Sequence, residues 1–294
     1  MTEWTQSKGD PHNSGLRRDL EGPARVTDAW TADLAGPPGS PVCDRDTVYV
    51  GTARGNWYAL EATTGRRRWV LETTAATDVA PVVTRDRLYV GTAGGTLHAL
   101  EPATGEVVWG TELPGTLETD LAVSDGCLYA GHADGLTALE AETGTELWTA
   151  ETESAVTAAP AIADGRDVDQ ARATQSPLSE SDATALLEDD RLSEPGQRWI
   201  DERVFAGTAD GTVVALEAET GEVNWTVPTD GAVVGGPTIA ERRVYAADTA
   251  GTLVALDAAT GQSWFTYEIH GEFTTSPTVL AAAETTFVGA TDDY

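Results

Sequence analysis

Short apolar runs alternate with polar turns along most of the chain. Residues 81–109 show the pattern, with four runs rich in β-branched and aromatic residues separated by three polar or glycine-containing turns. The runs are 81–84, 87–92, 96–100 and 107–109, and the turns are 85–86, 94–95 and 103–106. Alternation of polar and apolar side chains within a run is typical of a half-buried strand. The pattern therefore predicts four short antiparallel strands and leaves no room for a helix of ordinary length.

The same pattern recurs at a fixed period, which a tryptophan marks. The marker residues are Trp30, Trp69, Trp109, Trp148, Trp225 and Trp264. Successive markers are 39 or 40 residues apart, except for one interval of 77. A single four-stranded sheet cannot bury both of its faces, so the repeated sheets must stack on one another. The sequence predicts an all-β fold, a β-propeller of four-stranded antiparallel blades.

The number of blades follows from the incomplete repeats at the two ends. A sixth unit begins near Ser276 and reaches Tyr294 before its third strand, while 26–32 resembles a fourth strand without a preceding sheet. We expect one domain, 1–294, with six blades closed by strands from both termini. The third strand of the closing blade is then missing or supplied by residues near Trp4. A truncated part of a ring of seven or eight blades is the alternative.

A longer motif carries a family resemblance. Residues 99–109 read Ala-Leu-Glu-Pro-Ala-Thr-Gly-Glu-Val-Val-Trp, and related strings occur at 59–69, 138–148, 215–225 and, one residue shorter, 255–264. This motif resembles the tryptophan-docking motif of the pyrroloquinoline-quinone (PQQ)-like β-propeller repeat family. The resemblance implies that each tryptophan lies across a peptide plane of the adjacent blade. The acidic residue of the motif can accept hydrogen bonds from the turn backbone, and a glycine supplies its left-handed conformation. The glycines are Gly65, Gly105, Gly144, Gly221 and Gly261.

One insertion interrupts the repeats in the first hairpin of the fourth blade, at 165–201. It is rich in Ser, Asp, Glu and Gln and poor in β-branched residues, so we expect a mobile excursion. Two interpretations are open. The segment is a tolerated surface loop, or it is an arm that docks a partner through Leu186, Leu187, Leu192 and Trp199.

The charge of the chain is extreme, with a formal net charge of −30 and a single lysine, Lys8, among 18 basic residues. Acidic residues occur in every repeat, which favours a protein adapted to molar intracellular salt, from an extreme halophile. The alternatives are an acidic mesophilic protein or one with a basic partner. Nucleic acid is excluded as a partner because no basic cluster could neutralise its phosphates.

Candidate chemistry is sparse. The four histidines stand alone without metal-ligand spacing, and Cys43 and Cys127 are expected to be small buried apolar side chains. PQQ dehydrogenases of the resembled family have an adjacent cysteine pair, calcium-binding residues and a catalytic aspartate, none of which maps to a numbered position here. We therefore predict no catalytic, cofactor-binding or metal-binding residue and no cofactor.

These observations favour a non-enzymatic scaffold that binds a protein partner of unknown identity. Within the resembled family the nearest functional analogy is the bacterial lipoprotein that scaffolds outer-membrane barrel assembly. The alternative is a PQQ- or metal-dependent oxidoreductase or redox sensor. No apolar run approaches the ~18 residues of a membrane span. We expect a cytoplasmic monomer, exported only if a longer natural start carries a signal.

Overall fold

The chain folds into consecutive four-stranded antiparallel sheets. The computed structural model describes residues 3–16, 27–77, 79–163, 202–240, 242–280 and 285–291. Within these residues there are five four-stranded sheets, and in each of them the strands pair in chain order. The predicted all-β propeller fold is confirmed. The insertion 165–201, with Leu186, Leu187, Leu192 and Trp199, lies outside the described residues.

The five sheets have closely similar strand bounds. The first contains β1 (Val42–Asp44), β2 (Thr47–Gly51), β3 (Asn56–Glu61) and β4 (Arg67–Glu72), and the second β5 (Val82–Val83), β6 (Leu88–Gly91), β7 (Thr96–Leu100) and β8 (Val107–Glu112). The third contains β9 (Ala122–Ser124), β10 (Cys127–His132), β11 (Gly135–Glu140) and β12 (Glu146–Glu151), and the fourth β13 (Val156–Ala163), β14 (Arg203–Thr208), β15 (Thr212–Glu217) and β16 (Val223–Pro228). The fifth contains β17 (Thr238–Ala240), β18 (Arg243–Ala247), β19 (Thr252–Asp257) and β20 (Ser263–Glu268).

Two separate two-stranded sheets follow the fifth sheet in the described part of the chain, and we call them together the sixth sheet. β22 (Thr278–Leu280) pairs with β23 (Thr285–Phe287), and β21 (Glu272–Phe273) pairs with β24 (Ala290–Thr291). The segment 26–32 was expected to form the fourth strand of a closing sheet, but its described residues, 27–32, belong to no strand.

The residues near Trp4 do not supply a third strand to the sixth sheet. The backbone of Trp4 instead exchanges two hydrogen bonds with that of Cys43, at 2.7 and 2.8 Å. This pairing corrects the expectation that the segment around Trp4 completes the closing sheet. The physical reason for the pairing is that β1 is the innermost strand of its sheet. The backbone N–H and C=O groups on the inner side of β1 therefore need hydrogen-bond partners, and Trp4 supplies them.

An N-terminal segment, residues 3–15, crosses the innermost strands of all five complete sheets. Its backbone carbonyls accept hydrogen bonds from the amides of Cys43, Val83, Ile162 and Ile239, and the Gln6 side chain accepts one from Val123. The segment turns at the short 3₁₀ helix η1 (Ser7–Gly9). It therefore connects strands that are far apart in the sequence and satisfies their inward-facing amides.

Two side chains of the N-terminal segment add polar contacts to the later sheets. The Asn13 amide donates to the carbonyls of Ala159, Pro160 and Pro237, at 3.1 to 3.2 Å. The Lys8 ammonium donates to the Pro277 carbonyl, and burial lowers the pKa of Lys8 to about 8. Both side chains thus form hydrogen bonds with residues more than a hundred positions away in the sequence.

The hydrophobic core lies between adjacent sheets. Between the second and third sheets, for example, Leu97 and Ala99 pack in one cluster with Leu128, Ala130 and Leu139. Fully burying each leucine contributes about 2 kcal/mol relative to leaving it exposed.

No helix in the described residues is long and apolar enough to cross a membrane.

Candidate interaction surface

Five indoles are held at the junctions between sheets, in line with the docking motif. Each indole N–H donates a hydrogen bond to a backbone carbonyl in the turn between the third and fourth strands of the following sheet. The pairs are Trp30–Ala62 (2.8 Å), Trp69–Pro102 (2.9 Å), Trp109–Ala141 (3.1 Å), Trp148–Ala218 (2.8 Å) and Trp225–Ala258 (3.2 Å). Each bond fixes the ring orientation that the apolar contact alone would leave free.

A glycine lies under each docked indole. The five glycines have φ between 69° and 76°, a left-handed conformation that disfavours other residues. A Cβ atom at these positions would come within 2.4 to 2.8 Å of the ring. The contacts are Gly65 with Trp30, Gly105 with Trp69, Gly144 with Trp109, Gly221 with Trp148, and Gly261 with Trp225. Backbone conformation and close approach therefore both require glycine.

The acidic residue of the motif behaves differently from the expectation in most copies. Glu61, Glu140 and Glu217 accept a hydrogen bond from the threonine hydroxyl of the turn. The shorter Asp257 side chain also accepts from backbone amides, those of Ala259 and Thr260. The glutamates thus stabilise the turn through the threonine side chain.

Trp264 does not dock as the other five indoles do, and the sequence prediction for it is corrected. Phe265, not Trp264, pairs with the third-strand alanine, Ala255, as Trp109 pairs with Ala99. Because side chains alternate between the faces of a strand, Trp264 points to the other face. There it is 60% exposed, and the Arg243 guanidinium lies 4.0 Å from its ring centroid.

The sequence contained the signal for this assignment. Each docked tryptophan of the complete repeats lies four residues after its motif glycine, and Phe265 keeps that spacing from Gly261. Spacing from the glycine, rather than the identity of the aromatic residue, therefore identifies the docking position.

An aromatic surface is left uncovered on the outer part of the fifth sheet. On the face that carries Phe265, the inner residues Tyr245 and Ala255 pack against Val279 of the sixth sheet. Farther out on β20, Phe265 is 42% exposed and Tyr267 is 58% exposed. In the fourth sheet the corresponding residues, Trp225 and Val227, pack against the core shared with the fifth sheet.

Phe287 on β23 is also exposed, unlike the equivalent rings of the five complete sheets. The five complete sheets have a buried aromatic ring at the corresponding second-strand position, 5.7 to 6.2 Å from a ring on their own fourth strand. Those rings are Tyr49, Tyr89, Tyr129, Phe205 and Tyr245. Phe287 is 59% exposed. We call Phe265, Tyr267 and the β23 edge with Phe287 the open edge.

The remaining polar groups do not assemble a reactive site within the described residues. A cavity of about 510 Å³ is lined by Cys127, Tyr129 and several carboxylates. Burial raises the pKa of the Cys127 thiol, which disfavours a nucleophilic thiolate.

In the described part of the chain no three His, Cys, Asp or Glu side chains are grouped to hold a metal ion. Both cysteines are free and lie in different sheets, so these residues do not fit a PQQ–calcium site with an adjacent cysteine pair.

His132 is buried for a structural purpose. Its Nε2 lies 2.9 Å from the Thr137 hydroxyl, and its Nδ1 accepts a hydrogen bond from the Asp134 amide. Accepting at Nδ1 requires the neutral ring. Burial lowers the pKa of His132, which also favours that form. The imidazole therefore caps a turn between two strands.

The comparisons with known proteins agree with this architecture. The family described as outer membrane protein assembly factor BamB matches the chain at residues 22–112, 71–168, 93–198 and 196–292. No curated protein shows significant sequence similarity to the chain.

Solved structures with the same fold include a BamB protein, a designed protein and an enzyme. BamB from Moraxella catarrhalis is 21% identical, with a TM-score of 0.52 over 89% of this chain and 83% of its own. The computationally designed Ika8 protein is 18% identical, with a TM-score of 0.63 over 86% of this chain and 71% of its own.

The enzyme is the quinohemoprotein alcohol dehydrogenase ADHIIG from Pseudomonas putida HK5. It is 18% identical, with a TM-score of 0.62 over 91% of this chain but only 48% of the dehydrogenase. The chain thus spans about half of that enzyme, and the likeness is one of fold.

Proposed function

The chain belongs to the outer membrane protein assembly factor BamB family, and from that premise we propose that it is a non-enzymatic scaffold that binds another protein. In such a scaffold the rigid stack of sheets presents a binding surface and takes no part in chemistry. The BamB family match over most of the chain supports a role in protein assembly.

The open edge is the observation that carries the proposal. Its three aromatic side chains are exposed. By contrast, the second-strand rings equivalent to Phe287 are buried, and the docked indoles equivalent to Phe265 are buried or partly buried in the described sheets. Aromatic residues on a rigid, exposed surface are enriched at protein–protein contacts, because they bury a large area at low cost in conformational entropy. A partner that covered Phe265 and Tyr267 would reproduce the contact that the earlier sheets make with one another.

Affinity capture tests this role. The tagged full chain, the double variant Phe265→Ser with Tyr267→Ser, and the control Trp264→Ser are each incubated with native cell extract in molar potassium chloride. We expect a stoichiometric partner that the wild type and the control retain and the double variant loses. Trp264 is a matched control because it is a similarly exposed aromatic residue on the same strand but on its other face.

A partner retained equally by all three proteins would show that the open edge is not the binding surface. Absence of any stoichiometric partner would refute the scaffold role. Circular dichroism of each variant, recorded first, establishes that the sheets are intact.

A further inference from the structure

A cleft lies between the first and second sheets. Its volume is about 330 Å³, near the lower limit for small-molecule sites in proteins. The first sheet contributes Leu71 and Glu72 at the end of β4, and the second sheet and its β6–β7 turn contribute Thr92, His98 and Val107. We call this space the junction cleft.

A histidine–glycine pair distinguishes the second sheet from the others at the junction cleft. His98 on β7 pairs with Gly110 on β8, and a Cβ atom at Gly110 would lie 2.7 Å from the His98 Nδ1. Gly110 therefore makes room for the imidazole ring. The corresponding pairs of the other complete sheets have a side chain on both strands, and they are Tyr58–Val70, Thr137–Thr149, Val214–Thr226 and Val254–Thr266.

The His98 ring has unused hydrogen-bonding capacity. Its Nδ1 is buried and has no hydrogen-bond partner among the described residues, so hydrogen bonding to a bound molecule falls to Nε2. Burial lowers the pKa of His98, which favours the neutral ring, and in that form Nε2 either donates or accepts one hydrogen bond. A hydroxyl group can do both, so it satisfies Nε2 in either tautomer.

Thr92 provides a second polar group with unused capacity. It is 4% exposed, and its hydroxyl accepts a hydrogen bond from the Thr96 amide. The corresponding hydroxyls of Thr52 and Thr208 accept the same amide bond and also donate to a backbone carbonyl four residues later. Among the described residues the Thr92 hydroxyl makes no such donation, and its O–H can therefore bond to a molecule in the cleft.

The charges around the cleft disfavour an ionic ligand. The side chains that line it in the described part of the chain include Glu72 but no lysine or arginine, which opposes an anion. An organic cation would need a carboxylate beside the inner polar groups, yet burial is the one cause that lowers the pKa of His98. Leu71 and Val107 add apolar surface next to the uncharged polar groups. This combination suits a neutral molecule that carries both hydroxyl and C–H groups.

We propose that the junction cleft binds a small neutral polyol of up to monosaccharide size, whose hydroxyls bond to His98 and Thr92 and whose C–H groups pack against Leu71 and Val107. The inference goes beyond the scaffold function and does not depend on it. The cleft lies between the first and second sheets, whereas the open edge lies on the fifth and sixth, so each can fail without the other.

Nuclear magnetic resonance of the histidine rings tests the site in the full chain. Long-range ¹H–¹⁵N correlation spectra report the ring nitrogens of its four histidines, and His98→Val assigns the His98 signals by their loss. Glycerol, erythritol and D-glucose are titrated separately in molar potassium chloride. We expect at least one of them to shift the His98 signals saturably, with a dissociation constant on the order of 1 to 10 mM, while the other three histidines do not respond.

Two variants test the geometry of the cleft, with saturation-transfer difference signals of the polyol as the measure of binding. His98→Val introduces the residue found at the corresponding positions 214 and 254 and removes the imidazole. Gly110→Thr introduces the residue found at 149, 226 and 266 and displaces the ring into the cleft. The φ of Gly110 lies outside the left-handed region, so its backbone accepts a side chain. We expect each variant to weaken binding about tenfold or more.

His270→Val is the matched control, because His270 is an exposed histidine that does not line the cleft, and it should bind the polyol as the wild type does. Circular dichroism establishes that each variant is folded, and His98→Val alone decides the result if Gly110→Thr is not.

The proposal is overturned if none of the three polyols shifts the His98 signals, since the cleft then holds only ordered water. It is also overturned if ethylammonium chloride or sodium phosphate at equal concentration shifts them as much, because the ligand is then not a neutral polyol. Binding that survives in His98→Val would place the polyol elsewhere and refute this site.

Discussion

Gly144→Ala measures how strongly the docked indoles stabilise the propeller. Gly144 has φ of 72°, and a Cβ there would lie 2.6 Å from the Trp109 ring. The left-handed conformation alone costs an alanine about 1 kcal/mol. Displacing the indole adds about 1 kcal/mol for its hydrogen bond to Ala141 and about 1 to 2 kcal/mol for disturbed packing. We expect the free energy of unfolding to fall by about 3 to 4 kcal/mol in total.

Gly126→Ala is the matched control, because Gly126 lies in the same sheet with φ of 82° and its Cβ would meet nothing within 4 Å. It should lose only about 1 kcal/mol, the conformational part. Both free energies come from urea denaturation in molar potassium chloride, followed by circular dichroism. In the double variant with Trp109→Ala, the effect of Gly144→Ala should shrink toward that of the control. Equal losses in the two glycine variants would refute the steric account of docking.

The other predictions concern buried polar groups and the cofactor. Asp248 accepts hydrogen bonds from four backbone amides, so Asp248→Ala should destabilise the fold by about 3 kcal/mol in urea denaturation; a loss below ~1 kcal/mol would contradict this. Because burial lowers the pKa of His132, its contribution to stability is complete above the unfolded pKa near 6.5 and is lost as the pH falls toward the folded value. His132→Thr, which introduces the residue found at the corresponding positions 52, 92 and 208, should flatten that pH dependence in denaturation curves; an unchanged slope would show that His132 does not titrate between the two states. Adding PQQ and calcium in molar salt should leave the melting temperature unchanged, and a rise would favour the redox alternative.

The sequence predicted the repeat well because strand pairing within a sheet is local. Residues 96–100 were expected to form a strand and correspond to β7, since alternation and the flanking turns act over only a few residues. The docking role of Phe265 was not predicted, because that role was assigned to the tryptophan, Trp264, and not to the residue four positions after Gly261. The path of the N-terminal segment could not be predicted, because its backbone bonds to Cys43 and Ile239 leave no periodic signal in the sequence.

The N-terminal segment has a consequence for the order in which the protein is made. Residues 4–12 leave the ribosome early, and the last of their amide partners, Ile239, is synthesised more than two hundred residues later. The sheets can pair with their neighbours during translation, since each is built from nearby residues. The segment can only then pack across all five sheets, so residues 4–12 are among the last parts of the chain to reach their native contacts.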